Sequence, residues 1–195
     1  MAMKPSKKID LKYYGGAFVT HGQNYLIKEL VKLEDCHGDE ISQLLVFLSV
    51  LGGTDWPSIL VEKGASLDAV DDEGSTVLSQ CIHGSCPYDQ DGNTRHTFET
   101  AMELLRLGAS PNLTYQNRTS VTSLAVGLNK PEFATLFLAC GADLNLMEPE
   151  SGKRLSEVLE HSEHQWAKFL LKVFGNHQPH DVPDLGDGRG FADGV

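Results

Sequence analysis

The sequence predicts an all-α repeat protein, a solenoid of stacked helical units, and three observations carry this prediction. The dipeptide Gly-Ala begins at Gly64, Gly108 and Gly141. The last two are 33 residues apart, and the first two are 44 apart, which equals 33 plus an insertion of 11. Each dipeptide follows a run with the apolar spacing of a helix and precedes a polar turn. A fixed period of this length indicates structural units that bury their apolar faces against their neighbours.

The predicted elements follow in chain order. An N-terminal segment, residues 1–23, has no clear pattern, and an amphipathic helix at about 24–33 is expected to cover the N-terminal end. Four units follow, and their predicted bounds are 31–63, 64–107, 108–140 and 141–175. The last unit departs most from the repeat pattern and carries more charge, as expected of a terminal unit whose outer face contacts water. The final residues, 176–195, are rich in Gly, Pro, Asp and His and are predicted to be flexible.

The second unit has the clearest turn and cap chemistry. Gly74 permits a tight turn, and the hydroxyl of Thr76 is placed to cap the helix that follows. Leu78 and Ile82 are four residues apart and begin the apolar face of that helix. A second helix is predicted at about 96–107, and Gly108 is expected to end it in a left-handed conformation.

The third and fourth units keep the period with less of the turn chemistry. Asn117 tolerates a left-handed conformation at the third turn. A helix is predicted at 131–139 because proline suits a first helical turn. In the fourth unit only Leu155 is retained of the turn pattern, and a last helix is predicted at about 164–174. Its apolar positions are Trp166, Phe169, Leu170 and Leu171.

These residues resemble the ankyrin repeat, whose pattern reads D-x-x-G-x-T-P-L-H-x-A. Asp71, Gly74, Thr76 and Leu78 fall in matching slots, whereas valine and serine replace the proline and the histidine. Residues 141–145, Gly-Ala-Asp-Leu-Asn, match the G-A-D-x-N that opens the family's next unit. The resemblance covers about residues 40–175 and implies two helices and a short β-turn or hairpin tip per unit. It implies about 3.5 to 4 units with helical caps.

In proteins of this type the tips and the first helices form a concave binding face. Matching positions give the expected partner-binding residues, which are Val70, Asp72, Glu73, Ser75, Thr114, Tyr115, Gln116, Asn117, Arg118, Met147, Glu148 and Glu150. Tyr and Arg are the residue types enriched at binding hot spots, which favours Tyr115 and Arg118 as anchors. The insertion at 84–94 offers a second contact, and its candidate residues are Tyr88, Asp89 and Asp91.

Charge and composition narrow the kind of partner. The net charge is −11, from 27 acidic and 16 basic residues, which disfavours nucleic acid and anionic membranes and favours a protein with a basic surface. No apolar run approaches the roughly 18 residues of a membrane span, and the first residues do not read as a secretory signal. We therefore expect a cytoplasmic location, with the four cysteines reduced.

Motifs for catalysis and cofactors are weak. One possible zinc set lacks any ligand spacing typical of zinc sites; it comprises Cys81, His83, Cys86 and His96. Asp89, Asp91 and Asn93 alternate like calcium ligands, but Thr100 stands where a bidentate glutamate belongs. The motifs G-x-S-x-G, P-loop and H-E-x-x-H are missing. We therefore expect no cofactor, no metal and no catalytic residue.

The leading functional hypothesis is a protein that binds one protein partner and inhibits it by covering it, in the manner of immunity proteins. The free chain is expected to be a monomer. A non-inhibitory adaptor or scaffold of the same fold is the main alternative. A metal-dependent or thiol-dependent enzyme is a remote one.

Overall fold

The computed structural model describes residues 8–34, 36–84 and 94–176. These residues are mostly helical, which agrees with the predicted all-α class. Their helices are α1 (Leu11–His21), α2 (Gln23–Val31), α3 (Gly38–Ser49), α4 (Trp56–Glu62), α5 (Val77–Gly84), α6 (Thr94–Arg106), α7 (Val121–Gly127), α8 (Pro131–Ala139), α9 (Leu155–His161) and α10 (Gln165–Phe174). Two short strands, β1 (Thr114–Tyr115) and β2 (Thr119–Ser120), pair antiparallel. Across the described ranges no helix has the length and apolar character needed to cross a membrane.

The helices pack as consecutive pairs, in which α1 contacts α2, α3 contacts α4, and so on to α9 with α10. The first helices of neighbouring pairs contact one another in the order α1, α3, α5, α7, α9. The second helices do the same in the order α2, α4, α6, α8, α10. The result is two layers of helices with the core between them, and its largest fully buried side chains include Trp56, Phe133 and Phe137.

Helix α1 was not predicted, and residues 11–21 of the segment without a clear pattern belong to it. Two adjacent glycines, Gly15 and Gly16, lower the helix propensity of this stretch. The structure gives Gly15 a packing role, because a Cβ built on it would lie 2.8 Å from the ring of Phe47 in α3. The Asp10 carboxylate starts the helix by accepting the N–H groups of the next turn. The predicted N-terminal covering helix, observed as α2, is therefore one member of a pair.

A short antiparallel tip precedes each of the helices α5, α7 and α9. Tip 1 (residues 70–76) is closed by a bridge between its end residues, tip 2 (114–120) by the strands β1 and β2, and tip 3 (147–154) by another bridge. Tips 1 and 2 begin 44 residues apart, and tips 2 and 3 begin 33 apart, as the Gly-Ala pairs do. The tips therefore repeat with the period that was read from the sequence.

Tip 3 is one residue longer than the other two, and this corrects one prediction. Its bridge joins Met147 to Arg154, so α9 begins at Leu155. Leu155 is thus the first residue of its helix, as Val77 and Val121 are of theirs, and does not occupy the leucine slot that the pattern assigned to it. The leucine is nevertheless fully buried.

Most predicted helix ends are confirmed. Gly64, Gly108 and Gly141 have φ values of 96°, 105° and 93° and close α4, α6 and α8 in the left-handed region. Helix α8 has the predicted bounds, and α10 ends at the predicted residue. Phe169, however, is 63% exposed and lies outside the core.

The two end residues of the predicted insertion at 84–94 belong to helices. Gly84 is the last residue of α5, and Thr94 is the first of α6. A Cβ on Gly84 would overlap the carbonyl group of Val50 at the end of α3, so this glycine belongs to the helix packing. Residues 85–93 and the predicted tail from 177 onward lie outside the described residues.

Candidate functional site

The three tips are joined to one another by main-chain hydrogen bonds. The Gln116 N–H of tip 2 donates to the Gly74 carbonyl of tip 1 at 2.8 Å. The Glu150 N–H of tip 3 donates to the Arg118 carbonyl of tip 2 at 3.0 Å. The side-chain amide of Gln43, on α3, donates to the Val70 carbonyl at 2.8 Å. We call this connected set of tips the tip row.

Tip 1 is held closed by its own aspartate. One oxygen of Asp71 accepts the N–H groups of Glu73 and Ser75, at 3.0 and 2.8 Å, and the other accepts the side-chain amide of Gln80. Gly74, with φ 76°, approaches tip 2 so closely that a Cβ would lie 2.8 Å from the Gln116 Cα. The predicted tight turn at Gly74 is thereby confirmed.

The helices α5 and α7, behind tips 1 and 2, begin with hydroxyl caps. The Ser79 N–H donates to Thr76 Oγ1 at 3.2 Å, and the Thr76 N–H donates to Ser79 Oγ at 2.8 Å. The predicted Thr76 cap is therefore confirmed and is reciprocal. Ser120 caps α7 in the same way, by accepting the Ser123 N–H. These two caps fix the direction in which tips 1 and 2 lead into α5 and α7.

Glu148 is a correction, because this predicted contact residue is only 3% exposed. Its carboxylate reaches across to the start of α7. There it accepts the Ser120 N–H and the Ser120 hydroxyl, both at 2.7 Å, and the Ser123 hydroxyl at 2.6 Å. Glu148 therefore joins tip 3 to the preceding pair of helices and does not present its side chain to a partner.

Ser75 is the second correction. It is 3% exposed, because it lies between the Asp71 carboxylate and the start of α5. The other tip residues are at the surface: Thr114 and Tyr115 are half-buried, and the exposed ones are Val70, Asp72, Glu73, Gln116, Asn117, Arg118, Met147 and Glu150. Tyr88, Asp89 and Asp91 lie outside the described residues.

The turn of tip 2 is formed by two residues in the left-handed region. Gln116 and Asn117 both have positive φ, 52° and 53°, which agrees with the left-handed turn predicted at Asn117. The ring of Tyr115 packs beside the ring of His83, with centroids 5.1 Å apart. Tyr115 is thus fixed against α5, and Arg118 extends into solvent beside it.

A groove of about 500 Å³ lies between tips 2 and 3 and the helices α7 and α9. Its walls combine charged, hydroxyl and apolar side chains; they include Arg118, Glu150, Lys153, His161, Val126 and Val158. The sequence did not single out the last four. Lys153 lies near the end of tip 3, and the other three lie on α7 and α9, the first helices of their pairs. This position within the repeat is the sequence signal that could have identified them.

Cys81 and His83 do not form part of a metal site in the described ranges. Cys81 is fully buried, and burial raises the pKa of its thiol. His83 is half-buried, and burial lowers its pKa. No group of three or more Cys, His, Asp or Glu side chains within those ranges could hold a metal ion. Cys86 of the predicted zinc set lies outside them.

Comparison with known proteins identifies no relative of this chain. The chain matches no protein-family model, and no curated protein matches it. The features to be explained are therefore the chain's own: paired helices in two layers, tips with a common period, and a tip row with exposed side chains.

Proposed function

We propose that the chain is an ankyrin-type repeat protein that uses the tip row and the groove beside it to bind a single protein partner. Binding covers the partner and inhibits it. The side chains offered for contact are those of the tips that remain exposed, with Tyr115 and Arg118 as central anchors. Glu148 and Ser75 are no longer part of this set.

The ankyrin-type fold is supported by three features that recur together. Helices occur in pairs, the pairs contact their neighbours through both layers, and a tip precedes each first helix from α5 onward. The tips keep the spacing of the Gly-Ala pairs. The pair α1–α2 then serves as the N-terminal cap, and α9–α10 as the C-terminal one.

The single observation that carries the binding role is the hydrogen bonding between tips. Because Gln116 and Glu150 donate main-chain hydrogen bonds to the preceding tips, the backbone of the row is already ordered in the free chain. An ordered backbone loses little conformational entropy on binding. Because the main chain makes these bonds, the exposed side chains at the tips can be changed without disturbing the backbone of the row.

Binding is favoured over catalysis by the state of the candidate reactive groups. The thiol of Cys81 is fully buried with a raised pKa, the opposite of what a nucleophilic cysteine needs. We propose that the protein works without a cofactor, as a monomer when free, in the cytoplasm. Cys81 and Cys140 carry free thiols, as is usual there.

Affinity capture from a lysate of the native organism tests the proposal when two matched variants accompany the wild type. The tip variant replaces Asp72 and Glu73 by lysine. The control variant replaces Glu62 and Glu132, exposed residues on the second-layer helices α4 and α8, by lysine. Both variants change the net charge equally, and circular dichroism checks that both are folded.

The proposal expects one stoichiometric partner that the wild type and the control variant retain and the tip variant loses. The activity of that partner should fall when the complex forms. A partner that stays fully active in the complex would favour an adaptor. Equal retention by all three proteins would show that Asp72 and Glu73 of tip 1 do not carry the contact.

A further inference from the structure

We propose that the tip row is electrically polarised and takes a partner segment with basic side chains at one end and acidic side chains at the other. This inference rests on the proposed function and deepens it. The net charge of −11 predicts only that a partner is basic. The positions of the exposed charges along the row predict how the partner's own charges are distributed.

Tip 1 is the acidic end of the row. Asp72 and Glu73 are both exposed, and neither carboxylate has a hydrogen bond or ion pair to another described side chain. Asp71, beside them, directs its oxygens into the tip and is already bonded to Ser75 and Gln80. Tip 1 contains no Lys or Arg. Two uncompensated carboxylates therefore face any partner at this end.

Tips 2 and 3 contain the exposed cations of the row. Arg118 and Lys153 are exposed, line the same groove, and make no ion pair with a described side chain. Arg154 follows directly and is exposed too. The exposed carboxylate of these two tips is Glu150, since Glu148 is buried and bonded to serine groups. The groove beside these cations is also lined by two exposed carboxylates, Glu150 and Glu163, and by the buried Glu148. The exposed cations of the row therefore all lie at this end, whereas tip 1 has only carboxylates.

Apolar contact points mark the beginning of the first and last tips. Val70 is 48% exposed and Met147 is 52% exposed, and both occupy the first position of their bridges. Thr114 has the equivalent position in tip 2 and is half-buried. An apolar side chain bordered by charged groups is the arrangement typical of an interface, in which the charges choose the partner and its register.

The dimensions of the row set the length of a suitable segment. Neighbouring first-layer helices lie about 8–10 Å apart, so tip 1 and tip 3 are about 20 Å apart. An extended chain covers about 3.4 Å per residue, so about six residues span this distance and about ten include the charges at both ends. The partner's basic and acidic groups should therefore be separated by about that span.

Fluorescence anisotropy with synthetic peptides tests the polarity without the natural partner. The probes are labelled extended peptides of about ten residues. One kind has a lysine block and a glutamate block at opposite ends, prepared in both chain directions. A second has the same composition with lysine and glutamate alternating, and two more carry only lysine or only glutamate. Each is titrated with the wild type, with the D72K/E73K variant and with an R118E/K153E variant at about 50 mM salt.

The proposal expects one direction of the block peptide to bind about tenfold more tightly than the alternating peptide, because only the former places both charge types over their counterparts. Either variant should remove this advantage, and about 500 mM salt should reduce it strongly. Combining both variants should shift the preference to the opposite chain direction.

Two results would overturn the polarity. If the all-lysine peptide binds best and R118E/K153E leaves or improves its affinity, the row acts as a uniformly acidic surface, and the proposed binding of a basic partner survives alone. If no peptide binds the wild type more tightly than it binds the variants, charge on the row does not select a partner. The capture experiment then decides separately whether the tips bind one at all.

Discussion

Replacement of Glu148 by alanine tests most sharply how the tips are held. The buried carboxylate accepts three hydrogen bonds, from the Ser120 N–H, the Ser120 hydroxyl and the Ser123 hydroxyl. The Ser120 cap also places the carboxylate at the N-terminus of α7, where the helix dipole favours negative charge. The substitution removes all of these contacts together and separates tip 3 from α7.

The magnitude follows from what remains after the substitution. A hydrogen bond to a charged group contributes about 1.5–3 kcal/mol, so three of them represent a large gross term. The cost of burying the carboxylate, several kcal/mol, offsets part of this sum. The Ser120 oxygen still accepts the Ser123 N–H, but the Ser120 N–H and the two serine hydroxyls all lose their acceptor. The hydroxyls can turn to other acceptors, whereas the N–H cannot. We expect a net loss of about 3 kcal/mol in the free energy of unfolding.

Urea denaturation followed by circular dichroism measures this loss. With an m-value of about 2–3 kcal/mol per molar, the midpoint should fall by about 1 M. The matched control is Glu150→Ala, two residues further along tip 3, where the side chain is exposed and the bond to tip 2 comes from the main chain. An exposed substitution of this kind should change stability by less than about 0.5 kcal/mol.

Equal midpoints for the two variants would refute the reasoning. Glu148 would then contribute no more than an ordinary surface carboxylate. The link between tip 3 and α7 could not be used to argue that the row is ordered in advance. A loss that appears only in the Glu148 variant, with normal helix content, is the result that the contacts predict.

Three further predictions concern other parts of the chain. Gly74→Ala should cost about 2 kcal/mol, because its φ of 76° is strained for a side chain and tip 2 leaves no space, whereas Gly16→Ala in α1 should gain about 0.5–1 kcal/mol. Burial lowers the pKa of His83, so stability should decline as the pH falls through the ordinary histidine pKa of about 6.5, where the unfolded chain binds the proton more readily. A hydrogen bond to Glu29 raises the pKa of Tyr13 to about 12, and Glu29→Gln should bring it down toward about 10.

Simple measurements check each of these. Urea midpoints rank the two glycine variants, and equal midpoints would contradict the close approach of tips 1 and 2. Midpoints at pH 7.5 and 5.5, roughly a unit either side of the ordinary histidine pKa, should fall less for a His83→Gln variant than for the wild type. The same fall in both would mean that other groups cause it. Tyrosinate absorbance follows Tyr13, and an unchanged titration in the Glu29 variant would exclude the hydrogen bond as the cause.

Local signals in the sequence predicted the parts of the fold that depend on neighbours in the chain. The left-handed end at Gly108, the turn at Gly74 and the cap at Thr76 each depend on a few consecutive residues. Residue type and spacing are sufficient for such features. The positions of the tips followed in turn, because the period fixed them.

Features that depend on distant residues were not predicted. The partners of Glu148 are 25 and 28 residues away, so nothing near it marks the residue as buried. Gly15 reads as a helix breaker until Phe47, on another helix, gives it a packing role. The longer tip 3 could not be seen either, since its turn residues match the pattern too poorly to show the extra position.

Hydrogen exchange on the complex tests the central claim most directly, once the capture experiment has supplied the partner. Exchange of the backbone amides is compared between the free chain and the complex. The account predicts added protection at residues 70–76, 114–120 and 147–154 and at the ends of α7 and α9, with little change on α4, α6 and α8. Protection concentrated on those second-layer helices, with unchanged exchange at the tips, would contradict it.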